Sequence, residues 1–395
     1  MQIILCFPDC QTLRQWLNSL EYGSAFKFRF FGKTMVAISS PTAASNFLKD
    51  YSGAFKSMFN AETVYSLSGI NRSDDQVWNV YSALVRATYD PIHRALVPSN
   101  MSAISSRFTQ DFMKGLDELD LSAPDVSLHG FVHRTIYNAS STAFFGPNFP
   151  LNTYNDFMTF ESGSPLIARH LGIFARSAAT ARDALFAEWD NHIIRNWVSE
   201  GNGYLEGAVG MMTEVYNELN QTNLTPEETS RLMGLTIWAI HANVMDLTTW
   251  VMCHLLIDKN TYTNACREIR AFVDEKFPNL EDITQIDLKT LESDNLPLLN
   301  SLIREVMRTK TNLGATRLAT RDTVIRDDDQ KAILIRKGEI VSVNIQGMHY
   351  SPEFHSEPEC FKADRFVEEK ASYKLYTYGV GKHAVRMLFR VHCKI

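Results

Sequence analysis

Glu305 and Arg308 stand three residues apart in NLPLLNSLIREVMRT (295–309), a spacing that puts a carboxylate and a guanidinium on one face of a helix. Asn295 is placed to cap that helix, Pro297 suits its first turn, and Leu298, Leu299, Leu302 and Val306 supply apolar positions. Taken alone, such a pair reads as a solvated ion pair worth less than about 1 kcal/mol. Two further motifs follow it. FKADRF (361–366) sets Arg365 before aromatic Phe366, and YTYGVGKHA (376–384) is a glycine-rich turn after an aromatic residue.

Competing chemistries are absent from the sequence. Gly201-Asn202-Gly203 has no third glycine at the spacing of a dinucleotide loop and follows no strand pattern. There is no HExxH and no paired-Cys metal motif, and six Cys in 395 residues do not make a disulfide framework. The net charge of -6 argues against a nucleic-acid partner held by bulk electrostatics. With 45% hydrophobic and 21% charged residues, the chain has the composition of a globular protein with a core, which excludes disordered and low-complexity classes. Asn71, Asn100, Asn138, Asn220 and Asn223 each begin an N-x-S/T triplet, and these read as chance polar triplets.

The elements that must position these residues follow a clear order. Residues 25–40 (AFKFRFFGKTMVAISS) alternate apolar and polar around Gly32-Lys33, the pattern of a hairpin. Pro41 after Ser39-Ser40 marks a helix start. Helical spacing then dominates to about residue 310, as in Ile104/Phe108/Phe112 and Leu185/Trp189/Ile193, with one long central helix over 226–257. Beyond it, TRDTVIRDDDQKAILIRKGEIVSVNIQ (320–346) holds short β-rich runs split at Asp327-Asp328-Asp329, and MHYSPEFHSEPECFKADRF (348–366) is a Pro- and His-rich coil. Strands and helices do not alternate, so the expected class is mainly α with a small β region, in a single domain spanning 1–395.

An ExxR helix, a β region, a Pro-rich coil ending in DRF and then YGxGxH is an ordered set that resembles the cytochrome P450 family, from the first hairpin to residue 384. The resemblance implies a cytochrome P450-like fold and a haem-dependent monooxygenase, an oxidoreductase whose cofactor is haem iron. It implies an apolar small-molecule substrate (a sterol, lipid or secondary metabolite) and an NADPH-dependent reductase as partner. On this reading Glu305, Arg308 and Arg365 form a buried structural triad, since a buried carboxylate must be paired and a planar guanidinium can meet it with two parallel hydrogen bonds. Arg317 and His383, with His93 and Arg94 from DPIHRAL, are the cofactor-binding cations expected at the haem propionates. The central helix places Ala242 and Asn243 where many members carry an acid and a threonine. Its W-A-x-x-A-N phrase, followed by Thr248 and Trp250, is similar to the subgroup of sterol 7α-hydroxylases and prostacyclin synthase, which holds both hydroxylases and peroxide isomerases. Asn243 and Thr248 are therefore the catalytic candidates; an Asn there can still hydrogen-bond a water or a substrate oxygen.

The chain departs from the family signature at one decisive place. The family's iron ligand is a Cys thiolate, and here that position is Val385, with Met387 at the last signature glycine. Valine has no lone pair to donate, so the metal-ligand set is empty and haem binding by this chain is in doubt. Cys393, His392 and Cys360 do not stand where the glycine-rich turn would present a donor. The expectation is an impaired or inactive monooxygenase, with a haem-free pseudoenzyme or apolar-ligand-binding protein as the alternative. An intact member sits in the endoplasmic reticulum membrane. This chain reads as truncated at both ends, without a membrane anchor, and hence soluble and cytoplasmic as written.

Overall fold

The computed structural model describes residues 23–30, 32–49, 52–57, 61–70, 101–119, 127–198, 210–221, 224–279, 295–311, 315–368, 375 and 377. Its elements run β1 (Ala25–Phe30), β2 (Lys33–Ile38), α1 (Pro41–Leu48), β3 (Phe55–Ser57), α2 (Ala61–Ser68), α3 (Met101–Asp117), α4 (Leu128–Phe145), α5 (Tyr154–Ala168), α6 (Arg176–Val198), α7 (Gly210–Asn220) and α8 (Pro226–Ile257). They continue with α9 (Lys259–Lys276), α10 (Pro297–Lys310), β4 (Thr316–Ala319), β5 (Thr323–Arg326), β6 (Ala332–Ile335), β7 (Ile340–Val343), α11 (Ile345–His349) and α12 (Arg365–Glu368). The class is mainly α with a small β region, as the sequence pattern implies. The residues group into two compact units, one drawn from Met1–Phe59 and Pro297–Cys393, the other from Asn60–Leu296 with Lys394–Ile395.

The first unit is built on a five-stranded sheet of order β1-β2-β7-β4-β3. The hairpin pairs Ala25 with Ile38 and Phe30 with Lys33. Its turn carries Gly32 at φ 75°, a left-handed value that glycine adopts at no steric cost. Parallel pairing of β2 with β7 sets Val36 opposite Val341 and Ile38 opposite Val343, so chain segments some three hundred residues apart share one core. Ala43, Ala44 and Phe47 of α1 pack into that core, with Ile325, Ile335 and Met348. Ser40 caps α1 by accepting the Ala43 amide at 3.1 Å. The acidic turn between β5 and β6 is tied to this corner: the Ser24 hydroxyl donates to Asp327 and the Ser40 hydroxyl to Asp328, each at 2.5 Å.

The second unit is helical. Its longest element, α8, starts at a capping box in which Thr225 Oγ1 accepts the Glu228 amide at 3.2 Å while Glu228 Oε2 accepts the Thr225 amide at 2.8 Å. Its core is aromatic: Tyr137 and Phe145 of α4, Phe157 and Phe160 of α5, and Phe186 and Trp189 of α6 are all fully buried. No helix among the described residues is long and apolar enough to cross a membrane.

Gly234 lets α8 lie against α6. A Cβ at this position would meet Phe186 Cε1 at 2.7 Å and Trp189 Cε3 at 2.9 Å. Alanine in a helix interior gains roughly 1 kcal/mol over glycine, but overpacking a close-packed core costs about 1–3 kcal/mol, and two buried rings have little room to retreat. Gly234→Ala is expected to lower the urea midpoint; an unchanged or raised midpoint would show that the rings yield.

Candidate functional site

In the first unit, Pro297 opens α10, two residues later than the span read from the sequence, and Glu305, Arg308 and Arg365 converge beneath it. Arg308 donates from Nε to Glu305 Oε2 at 2.7 Å and from Nη2 to Oε1 at 2.8 Å, the parallel two-bond geometry of a guanidinium facing a carboxylate. Arg365 donates from Nε to the same oxygens at 3.1 and 3.0 Å. The side chains of the Glu305–Arg308 and Glu305–Arg365 pairs are all 0% exposed, so the solvated pair that spacing alone suggests is instead fully buried. The site holds two cations and one anion. The excess positive charge is taken up by backbone carbonyls. Arg308 Nη1 donates to His349 O and Pro358 O at 2.8 Å, and Arg365 donates to Ser356 O at 2.5 Å, Glu357 O at 3.2 Å and Cys360 O at 2.6 Å.

The Pro-rich coil is thereby pinned by its main chain. Lys362 N donates to Glu305 Oε1 at 3.0 Å, and Phe366 N to Ser301 Oγ at 2.9 Å. The aromatic residue after Arg365 adds a separate contact, since the Arg304 guanidinium lies 4.1 Å from the Phe366 ring centroid. His349 completes the return contact, its Nδ1 donating to Arg308 O at 3.1 Å, which fixes the tautomer. Burial holds the His349 imidazole far below its ordinary value, to about 3, with the His355 and Arg308 charges acting the same way against the opposing bond to the Arg308 carbonyl. At the end of the helix, Thr311 Oγ1 donates to Thr377 Oγ1 at 3.2 Å, one residue before Tyr378.

Arg317 on β4 donates from Nη1 to Phe47 O at 2.9 Å and from Nη2 to Leu48 O at 3.1 Å, and it lies over the Phe47 ring. His93, Arg94, His383, Val385 and the glycine-rich loop fall outside the described residues.

In the second unit α8 is helical throughout, with Asn243 and Asp246 exposed and Ala242 and Thr248 half-buried. The residue that spacing does not single out is His241, fully buried between the rings of Tyr137 and Phe157. Its Nδ1 donates to Ile237 O at 2.7 Å and its Nε2 accepts from Ser141 Oγ at 3.1 Å. Burial lowers its pKa to about 4. Its one visible signal is a polar residue at an apolar helical position within W-A-x-x-A-N.

A family model described as Cytochrome P450 matches residues 203–384, a stretch that contains α8, the buried triad and the glycine-rich loop. The structure also superimposes on a solved cyanobacterial protein, retinoic acid-bound CYP120A1, with a TM-score of 0.73, 19% identity and coverage of 99% of this chain and 86% of that one. The chain resembles the cytochrome P450 family, in sequence over residues 203–384 and in fold. Among curated members it is 25% identical to Cytochrome P450 7A1 of Oryctolagus cuniculus over 269 residues, which is 64% of this chain and 51% of that protein. It is 24% identical to Prostacyclin synthase of Rattus norvegicus over 165 residues, 42% of this chain and 32% of that protein. The chain thus spans about half the length, or less, of these curated relatives.

Haem iron in this family takes a Cys thiolate. Among the described residues the thiols are Cys253 on α8, Cys266 on α9 and Cys360, whose carbonyl is engaged by Arg365. The signature position itself is Val385. None of these three thiols of the described residues stands at that position.

The two buried histidines predict an acid-sensitive fold. Their folded pKa values lie below the ordinary 6.5, so their stabilising contribution is complete above pH 6.5. It is lost as pH falls through the window from 6.5 toward 4 for His241 and toward 3 for His349. Between pH 7 and pH 5 each histidine accounts for a loss on the order of 2 kcal/mol. Urea titrations at the two pH values check this, and equal midpoints would contradict it.

Proposed function

We propose that this chain is a P450-type monooxygenase scaffold for an apolar small molecule, impaired in oxidation because Val385 stands at the thiolate position. The observation that carries the reading is the Glu305–Arg308–Arg365 network, buried and main-chain-bonded in the order in which the family signature sets its motifs. Sterol, lipid or secondary-metabolite substrates are supported by the names of relatives: a cholesterol 7-alpha-monooxygenase, a prostacyclin synthase and an abscisic acid 8'-hydroxylase. An NADPH-dependent reductase would be the partner of an unimpaired member, and the endoplasmic reticulum membrane its location. Asn243 and Thr248 are proposed to face substrate; Arg317, His383, His93 and Arg94 are proposed as the cations for haem propionates.

Val385 also favours a second reading, a haem-free protein that keeps the fold and binds an apolar ligand. An absorption spectrum after reconstitution with haemin, reduced under carbon monoxide, is expected to lack the band of thiolate ligation. Equilibrium dialysis against a labelled sterol then separates the two readings, since saturable binding without haem belongs to the second. A thiolate-type carbonyl band from this chain would overturn both.

A further inference from the structure

The second unit also holds a cluster of two imidazoles and one carboxylate. His129 and His133 sit one turn apart on α4, and Asp246 faces them from α8. One ligand atom from each of the three lies within 4.8 Å of the others. His133 is 3% exposed, yet neither of its ring nitrogens has a hydrogen-bond partner. Its Nε2 lies 3.4 Å from Asp246 Oδ1, and the two imidazoles stack with centroids 3.8 Å apart. A buried imidazole without hydrogen bonds at either nitrogen is costly, because both polar atoms have left water and only Nε2 has a charged group near it, beyond good hydrogen-bond distance.

We propose that His129, His133 and Asp246 form a binding site for one divalent transition-metal ion of the zinc class. Two imidazoles at i and i+4 on one helix face form a chelating pair, and a carboxylate from a neighbouring helix supplies the third ligand. In a tetrahedral site with metal–ligand bonds of about 2.0–2.1 Å, ligand atoms stand about 3.4 Å apart. The ligand atoms lie within 4.8 Å of one another, and closing them to that spacing calls for movement of the side chains, of which His129 and Asp246 are exposed. Two imidazole nitrogens and one carboxylate oxygen suit zinc, cobalt, nickel or copper(II); magnesium and calcium prefer all-oxygen sites and copper(I) prefers sulfur. Glu161 on α5 adds a second negative group: burial and the Asp246 charge both hold its carboxyl above the ordinary range, while His133 acts in the opposite sense. A bound dication relieves the repulsion between these two acids. Three protein ligands leave one position open to water.

The site is tested on the full chain with cobalt(II) as a spectroscopic probe and zinc(II) by calorimetry, after treatment with a chelator. The wild type is expected to take up cobalt with a tetrahedral-type visible band and to show a higher thermal midpoint with zinc. Six Cys and eleven His in the whole sequence offer other places for metal to bind, so the decisive contrast is between variants. His129→Ala and Asp246→Asn change exposed side chains, and each should keep the metal-free thermal midpoint while weakening one equivalent of binding by ~100-fold. Zinc and cobalt binding that is absent from the wild type, or unchanged in both variants, overturns the proposal. A lowered metal-free midpoint in Asp246→Asn with no metal effect in the wild type assigns the cluster to a plain His133–Asp246 ion pair and overturns it equally.

Discussion

A single buried carboxylate between two guanidiniums is the constraint on which the first unit turns. Glu305 has no water to solvate it, and a lone charge there would cost several kcal/mol. Arg308 meets it from the same helix and Arg365 from the far end of the coil, fifty-seven residues on by number from 308 to 365. Because two cations exceed one anion, the surplus N–H groups must find neutral acceptors. They find the carbonyls of residues 349, 356, 357, 358 and 360, so the charge network dictates where an irregular segment with no regular hydrogen-bond ladder must run. A buried ion cluster of this kind contributes positional specificity more surely than net stability.

That constraint is local to a small set of elements. The bonds of the network named above run among α10, the coil and α12. The sheet is held differently, since its core of Val36, Ile38, Phe47, Val341 and Val343 is sealed by aliphatic packing. The charge network and the aliphatic sheet core are thus two separate sources of order in the first unit.

Much of this is legible in the residues. The bounds of the central helix, 226–257, can be read because a proline-led, apolar-periodic segment ends in a change of texture, and the structure returns Pro226–Ile257. The hairpin is legible from its alternation and its glycine. What period and propensity do not give is partnership at a distance. Nothing in KTMVAI announces that it pairs in parallel with IVSV, because strand pairing is decided by tertiary packing and not by either segment alone. Spacing alone likewise makes Glu305 and Arg308 an exposed pair, and only the ordered motifs around them suggest burial. His241 and His349 escape a sequence reading for the same reason: a histidine's role depends on what surrounds it, and those neighbours come from α4, α5 and α10.

The most direct test of the central claim is a double-mutant cycle on Glu305 and Arg365, with unfolding free energies measured for Glu305→Ala, Arg365→Ala and the pair. Glu305→Ala leaves two buried guanidiniums without a counter-charge, and a loss of about 3–5 kcal/mol is expected; Arg365→Ala keeps the Glu305–Arg308 pair but strips the coil carbonyls of their donor, and a smaller loss of about 1–3 kcal/mol is expected. The double variant should lose far less than the sum, giving a coupling energy of at least about 2 kcal/mol. Additive losses would contradict the account, because they would mean that the two side chains do not hold the coil through one another.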